Sequence, residues 1–154
     1  MNNDDIYKLV PYGIPAEHSV NYFKGQLVWI KELEKSAPDL AKSNYNIILS
    51  ELIESGLIQK MEEAESLGKS GFLTESNDIC MRLIDLNYRG SVKAFLRLCK
   101  NFRKLKQYKK EIEYAQLFLN KFQPLYGGTM WISEFEKRIN RAEILDTKRG
   151  GAIK

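Results

Sequence analysis

Apolar residues recur at three- and four-residue steps through most of the chain, the spacing that puts them on one face of a helix. The first such run holds Val20, Phe23, Leu27, Ile30 and Leu33, with Trp29 beside the stripe, and it predicts a helix over 16–36. Ala37-Pro38 ends it, because proline disfavours the helical region for the residue before it. A second run, Ile47, Ile48, Leu49, Leu52 and Ile53, predicts a helix over 39–55 with Gly56 as its stop. Five more helices are expected: 57–69, from Thr74 or Ser76 to about Asn87, 92–105 behind a Ser91 cap, 107–121, and 129–145 behind a Thr129 cap. Glycine- and proline-bearing turns separate them at 68–71, 87–90 and 123–128. Before the first helix, Pro11 and Pro15 flank Gly13 and forbid a helix there, so residues 1–15 read as an arm with a short apolar patch from Ile6 to Val10. Residues 146–154 read as a mobile tail.

Within this series one hairpin pattern occurs twice, about 35 residues apart, a period that indicates stacked helix pairs. The second copy holds Phe95, Leu98, Cys99 and Phe102 on its first helix, then Tyr108, Ala115 and Phe118 on the next, with Pro124 beyond. In the first copy the corresponding residues are Lys60, Glu63, Ala64, Leu67, Leu73, Ser76, Cys80 and Leu83. Small residues suit the points where helices cross closely, and aromatics fill the holes between neighbouring ridges. The second copy resembles the tetratricopeptide repeat, and the first resembles it more distantly, since Lys60 stands in a bulky position. Glu111 also departs from that pattern, standing where the family has alanine and the first copy has Ser76. The spacing extends outward: Phe23 and Leu27 precede Lys60 and Ala64 by about 37 residues, and Trp131 and Phe135 follow Phe95 and Cys99 by about 36. The resemblance implies an all-α fold of about seven helices in antiparallel hairpins, stacked as a short right-handed solenoid. Its parts would be the arm (1–15), an irregular first hairpin (16–56), two repeat-like hairpins (57–90 and 91–128), a capping helix (129–145) and the tail.

The 154 residues suffice for one domain burying roughly 68–70% of the surface of its unfolded chain. Hydrophobic content of 44% and charged content of 29% are values of a globular chain, not a disordered one. The start lacks the basic and apolar regions of a secretory signal, and no apolar run is long enough to span a bilayer. A cytoplasmic protein with no membrane partner is therefore expected. Cys80 and Cys99, both in small inward positions, are expected to be reduced core residues. Two cysteines and the single histidine cannot form a four-ligand zinc site, so no metal or cofactor is expected.

Charge changes the picture more. The net charge is +4. Between Leu86 and Lys110 stand Arg89, Lys93, Arg97, Lys100, Arg103, Lys104, Lys106, Lys109 and Lys110, with no acidic residue among them. Glu51, Glu54, Glu62, Glu63 and Glu65 cluster elsewhere. By the tetratricopeptide resemblance, Lys93, Leu96, Lys100, Arg103 and Lys104 fall on the stripe that lines the family's concave groove. Such a groove would suit an acidic segment or a chain-terminal carboxylate, because Lys and Arg form charge-assisted hydrogen bonds with carboxylates. The blander reading of the same run is a solvated helix face.

The motifs of phosphate loops, dinucleotide-binding turns, zinc proteases and serine hydrolases are missing from the sequence. His18 has no sequence partner that would make it a base, and Glu62 with Glu63 are neighbours on a wet helix face. No catalytic residue is assigned and no enzyme is expected. The expected function is a protein-binding module of adaptor or chaperone type, recognising an acidic partner segment through the basic groove. An inhibitor or immunity protein that blocks one folded target is the alternative, though one directed at a basic nuclease should itself be acidic. A second alternative is RNA or DNA binding through 86–110, with Phe102 and Tyr108 as stacking residues, but the repeat assigns both rings to the core. Homo-oligomerisation is left open, since an uncapped first hairpin or the Trp131 face could pair two copies.

Overall fold

A computed structural model describes residues 1–126 and 130–153. Among the described residues there are seven helices and no strand: α1 (Asn3–Tyr7), α2 (Glu17–Glu34), α3 (Pro38–Lys69), α4 (Leu73–Asp85), α5 (Ser91–Lys104), α6 (Tyr108–Tyr126) and α7 (Met130–Ile153). Expectation and structure agree on an all-α series of packed helices, but the seven are not the same seven. The arm contributes one, and the helices expected over 39–55 and 57–69 are a single helix, α3.

Two compact units divide the chain, Met1–Glu62 and Glu63–Lys154. In the first, α1, α2 and residues 38–62 of α3 enclose a core of Ile6, Val20, Phe23, Ile30, Ala41, Ile48 and Leu52. Asn2 accepts a hydrogen bond from the Asp5 amide and so caps the five-residue α1. That short helix places Ile6 in the core with no exposed surface. The arm then crosses α3 at Gly56. A Cβ built on Gly56 would meet Gly13 O and Val10 Cγ1 at 2.8 Å, and Gly13 has a φ of +84° that side-chain-bearing residues rarely adopt. Gly56 is thus a crossing point inside a helix, not the stop its neighbours in sequence suggested. Lys60, in its bulky repeat position, is met by the same arm, with its Nζ 4.9 Å from the centre of the Tyr12 ring. Ile47 also differs from expectation, being exposed while Ile48 is buried. Three successive helical residues sweep about 200° of arc, so Ile47, Ile48 and Leu49 cannot all face one core.

In the second unit α4 packs on α5, α5 on α6 and α6 on α7. Phe95, Cys99, Ala115, Phe118, Leu119, Ile132 and Phe135 form its core. Phe118 lies at the centre: its ring stacks on Phe135 at 4.0 Å and contacts Phe95 at 5.7 Å and Phe122 at 5.1 Å. The small repeat positions Ala64, Cys80, Cys99 and Ala115 have no exposed surface, as close helix crossings require. Three turns close by one device. Phe72 N donates to Leu67 O, Tyr88 N to Leu83 O and Gln107 N to Phe102 O, around Gly71, Asn87 and Lys106 in the left-handed region.

Three boundaries move. Ser91 opens α5 as a buried first residue, its N-cap being Gly90. Helix α6 continues to Tyr126 instead of ending at 121. Helix α7 continues to Ile153, through the segment read as a tail. Ala142 is buried at its middle, and Arg149 Nη1 donates to Lys106 O, so the helix has partners well past 145. The expected Thr129 cap lies outside the described residues.

Candidate partner-binding surface

Helix α5 sorts its residues by face. Ala94, Phe95, Leu98, Cys99 and Phe102 are buried, and they fix the helix against its neighbours. Lys93 and Lys104 are exposed, Lys100 is half-buried, and the three share one stripe by their seven- and four-residue steps. No ion pair involves them among the described residues. Leu96 is half-buried against the second unit's core. Arg103, the fifth residue expected on this surface, is also half-buried but engaged internally, its Nε 2.9 Å from Glu111 Oε1 and its Nη2 donating to Arg138 O at 3.2 Å.

Two of the nine cations in the basic segment therefore serve the interior. Arg97 is buried, with Nη2 2.6 Å from Glu65 Oε2. Gly68 makes room for it, since a Cβ there would lie 2.7 Å from Arg97 Cδ. Glu111 has no exposed surface, and its carboxylate takes Arg103 on one oxygen and Arg138 Nη1, at 3.2 Å, on the other. Desolvation of the carboxylate is offset by two charge-assisted hydrogen bonds. Sequence spacing indicates neither buried ion pair, although Glu111 stands out as a charged residue in a small position.

Three more of the nine gather at the turn after α5, while Arg89 is exposed ahead of the helix. Lys106, Lys109 and Lys110, with Tyr108, meet Asp146 and Arg149 of α7 around a crevice of about 560 Å³. Lys110 Nζ stands 5.7 Å from the centre of the Phe102 ring. Phe102 itself is buried and stacks on Tyr114 at 5.5 Å, leaving no face for a base, whereas Tyr108, expected in the core, is half-buried and lines the crevice because it opens α6 at the turn.

The other candidate groups are not assembled into chemistry. His18 is exposed beside a cavity of about 410 Å³ in the first unit, which Ser19, Tyr22 and Glu51 also line. No hydrogen bond joins His18 to any of these three among the described residues. Glu62 and Glu63 are both exposed. Cys80 and Cys99 are buried free thiols, pushed up to about 12, first by burial and then by Glu65 and Glu111 respectively. No cluster of metal-ligating side chains occurs among the described residues, and no helix there is long and apolar enough to cross a membrane.

Compared with family models, curated proteins and solved structures, the chain matches none.

Proposed function

We propose that this chain is a tetratricopeptide-like, non-enzymatic protein-binding module that takes an acidic partner segment on the lysine face of α5. The observation that supports this reading is the stripe of Lys93, Lys100 and Lys104 on a helix whose opposite side is locked into the core. Rigid presentation lowers the entropic cost of pairing with carboxylates. Leu96 adds apolar area beside the cations, and Arg103, half-buried and tied to Glu111, completes the surface. Burial of Phe102 favours a protein ligand over a single-stranded nucleic acid.

The test is affinity capture from host lysate with and without nuclease, comparing the wild type with a Lys93→Glu/Lys100→Glu variant of unchanged helical circular dichroism. A protein captured after nuclease treatment and lost with the charge reversal supports the reading. Capture that disappears on nuclease treatment, or that survives the reversal, overturns it. An adaptor should also bind an isolated acidic peptide, whereas an inhibitor should bind only a folded target and abolish that target's activity.

A further inference from the structure

Gly71 and Lys106 occupy the same place in the two successive repeat turns, about 35 residues apart. Both turns close with the same hydrogen bond, Phe72 N to Leu67 O at 2.9 Å and Gln107 N to Phe102 O at 2.8 Å. Both central residues are left-handed, with φ of +91° and +57°. Glycine adopts that conformation at no steric cost, and Asn87, at the intervening turn, tolerates it. Lysine has neither advantage. A side chain held in an unfavourable backbone region points to a use for that side chain.

Its surroundings indicate what use. Lys106 lines the crevice with Lys109, Lys110 and Arg149, four cations against the one carboxylate of Asp146. Arg149 Nη1 already donates to the Lys106 carbonyl and ties the end of α7 to the turn. Like charges so gathered repel one another and are relieved by an anionic ligand.

We infer that this crevice is a second binding site, which holds consecutive Asp or Glu side chains of an acidic peptide, and that Lys106 occupies a glycine position in order to contact them. The inference rests on the proposed function for the class of partner, and it places an anchor beyond the α5 stripe. A peptide fits better than a nucleic acid because the cations are chiefly lysines and, with Phe102 buried, the half-buried Tyr108 is a single ring and no platform for successive bases. The crevice volume is that of a site for a few side chains, not for a folded surface.

Lys106→Gly separates binding from folding, because glycine suits the turn. Fluorescently labelled octaglutamate is titrated against wild type, Lys106→Gly, Arg149→Gln and Lys93→Glu/Lys100→Glu, alongside thermal melts. The expected result is a Kd about fivefold weaker for Lys106→Gly, the loss of one exposed ion pair, with a melting temperature equal to or above the wild type. Arg149→Gln should weaken binding in the same direction. Wild-type affinity in both crevice variants, with loss only in the α5 double variant, overturns the crevice and leaves the proposed function standing. Loss in the crevice variants alone supports the crevice and removes the α5 stripe from the interface. Tighter binding of dodecathymidylate than octaglutamate by the wild type overturns the assignment of a peptide.

Discussion

Ser76 and Glu111 stand at the same position of two successive hairpins, both without exposed surface, and meet the demands of burial by different chemistry. Ser76 Oγ donates to Ala64 O at 2.7 Å and accepts from Asn101 Nδ2 at 2.9 Å, joining α3, α4 and α5 with neutral groups. Glu111 instead joins α5, α6 and α7 with a carboxylate between two guanidinium groups. The equivalent residue pairs, Ala64 with Ser76 and Cys99 with Glu111, are each joined by a bond between the same two helices of the hairpin. In the later copy Cys99 Sγ donates to Glu111 O at 3.7 Å, whereas in the earlier copy the direction is reversed and Ser76 is the donor. A repeat position thus specifies burial and a helix crossing, while leaving the kind of polar closure to the neighbours available. Arg138 is available only to the later hairpin, because α7 follows it.

The largest effect should come from breaking the charged closure. Glu111→Ala leaves Arg103 and Arg138 without their buried counter-charge and is expected to destabilise by about 3–5 kcal/mol in urea unfolding. A loss no greater than that of the serine variant would show that the charges act as a solvated pair. Ser76→Ala removes one donor and one acceptor, but Asn101 Nδ2 keeps its bond to Asn77 Oδ1 at 2.9 Å, so about 1–2 kcal/mol is expected.

The smallest effect concerns the thiols that flank these positions. Their folded pKa values, about 12, lie above the ordinary value of 9.0. As pH rises past 9.0 the unfolded chain loses its thiol protons first, so stability present below that pH declines progressively towards pH 12. Each thiol should account for about 1 kcal/mol at pH 10. Comparing urea midpoints at pH 8 and pH 10 for wild type and for Cys80→Ala and Cys99→Ala isolates each share from the titration of lysines. Equal pH dependence in all three proteins would exclude the thiols as its source.

Much of this architecture was legible because helical periodicity reports burial directly. Val20, Phe23 and Ile30 of α2, and Phe95, Leu98, Cys99 and Phe102 of α5, lie on the faces their spacing predicts. What was not legible depends on partners distant in sequence. Gly56 has the form of a helix stop, and only the approach of Gly13 from the arm reveals a crossing. Arg97 and Arg103 look like their lysine neighbours in a basic run, yet Glu65 and Glu111 draw them inward. Lys93, Leu96, Lys100, Arg103 and Lys104 all retain accessible surface, Arg103 while also paired with Glu111. Lys106 is marked in the sequence itself, since aligning the two turns sets it against Gly71.

The state of the cysteines also determines how the chain can be labelled. Cys80 and Cys99 are the only thiols in the sequence, both enclosed and both far from ionising at neutral pH. Maleimides react with accessible thiolates, so the folded protein presents almost no background to them. A cysteine introduced at exposed Leu105, next to Lys104 and outside the proposed contacts, would then be the single site of attachment, with no native cysteine removed to clear the way. A dye placed there sits beside the proposed acidic ligand and can report its arrival.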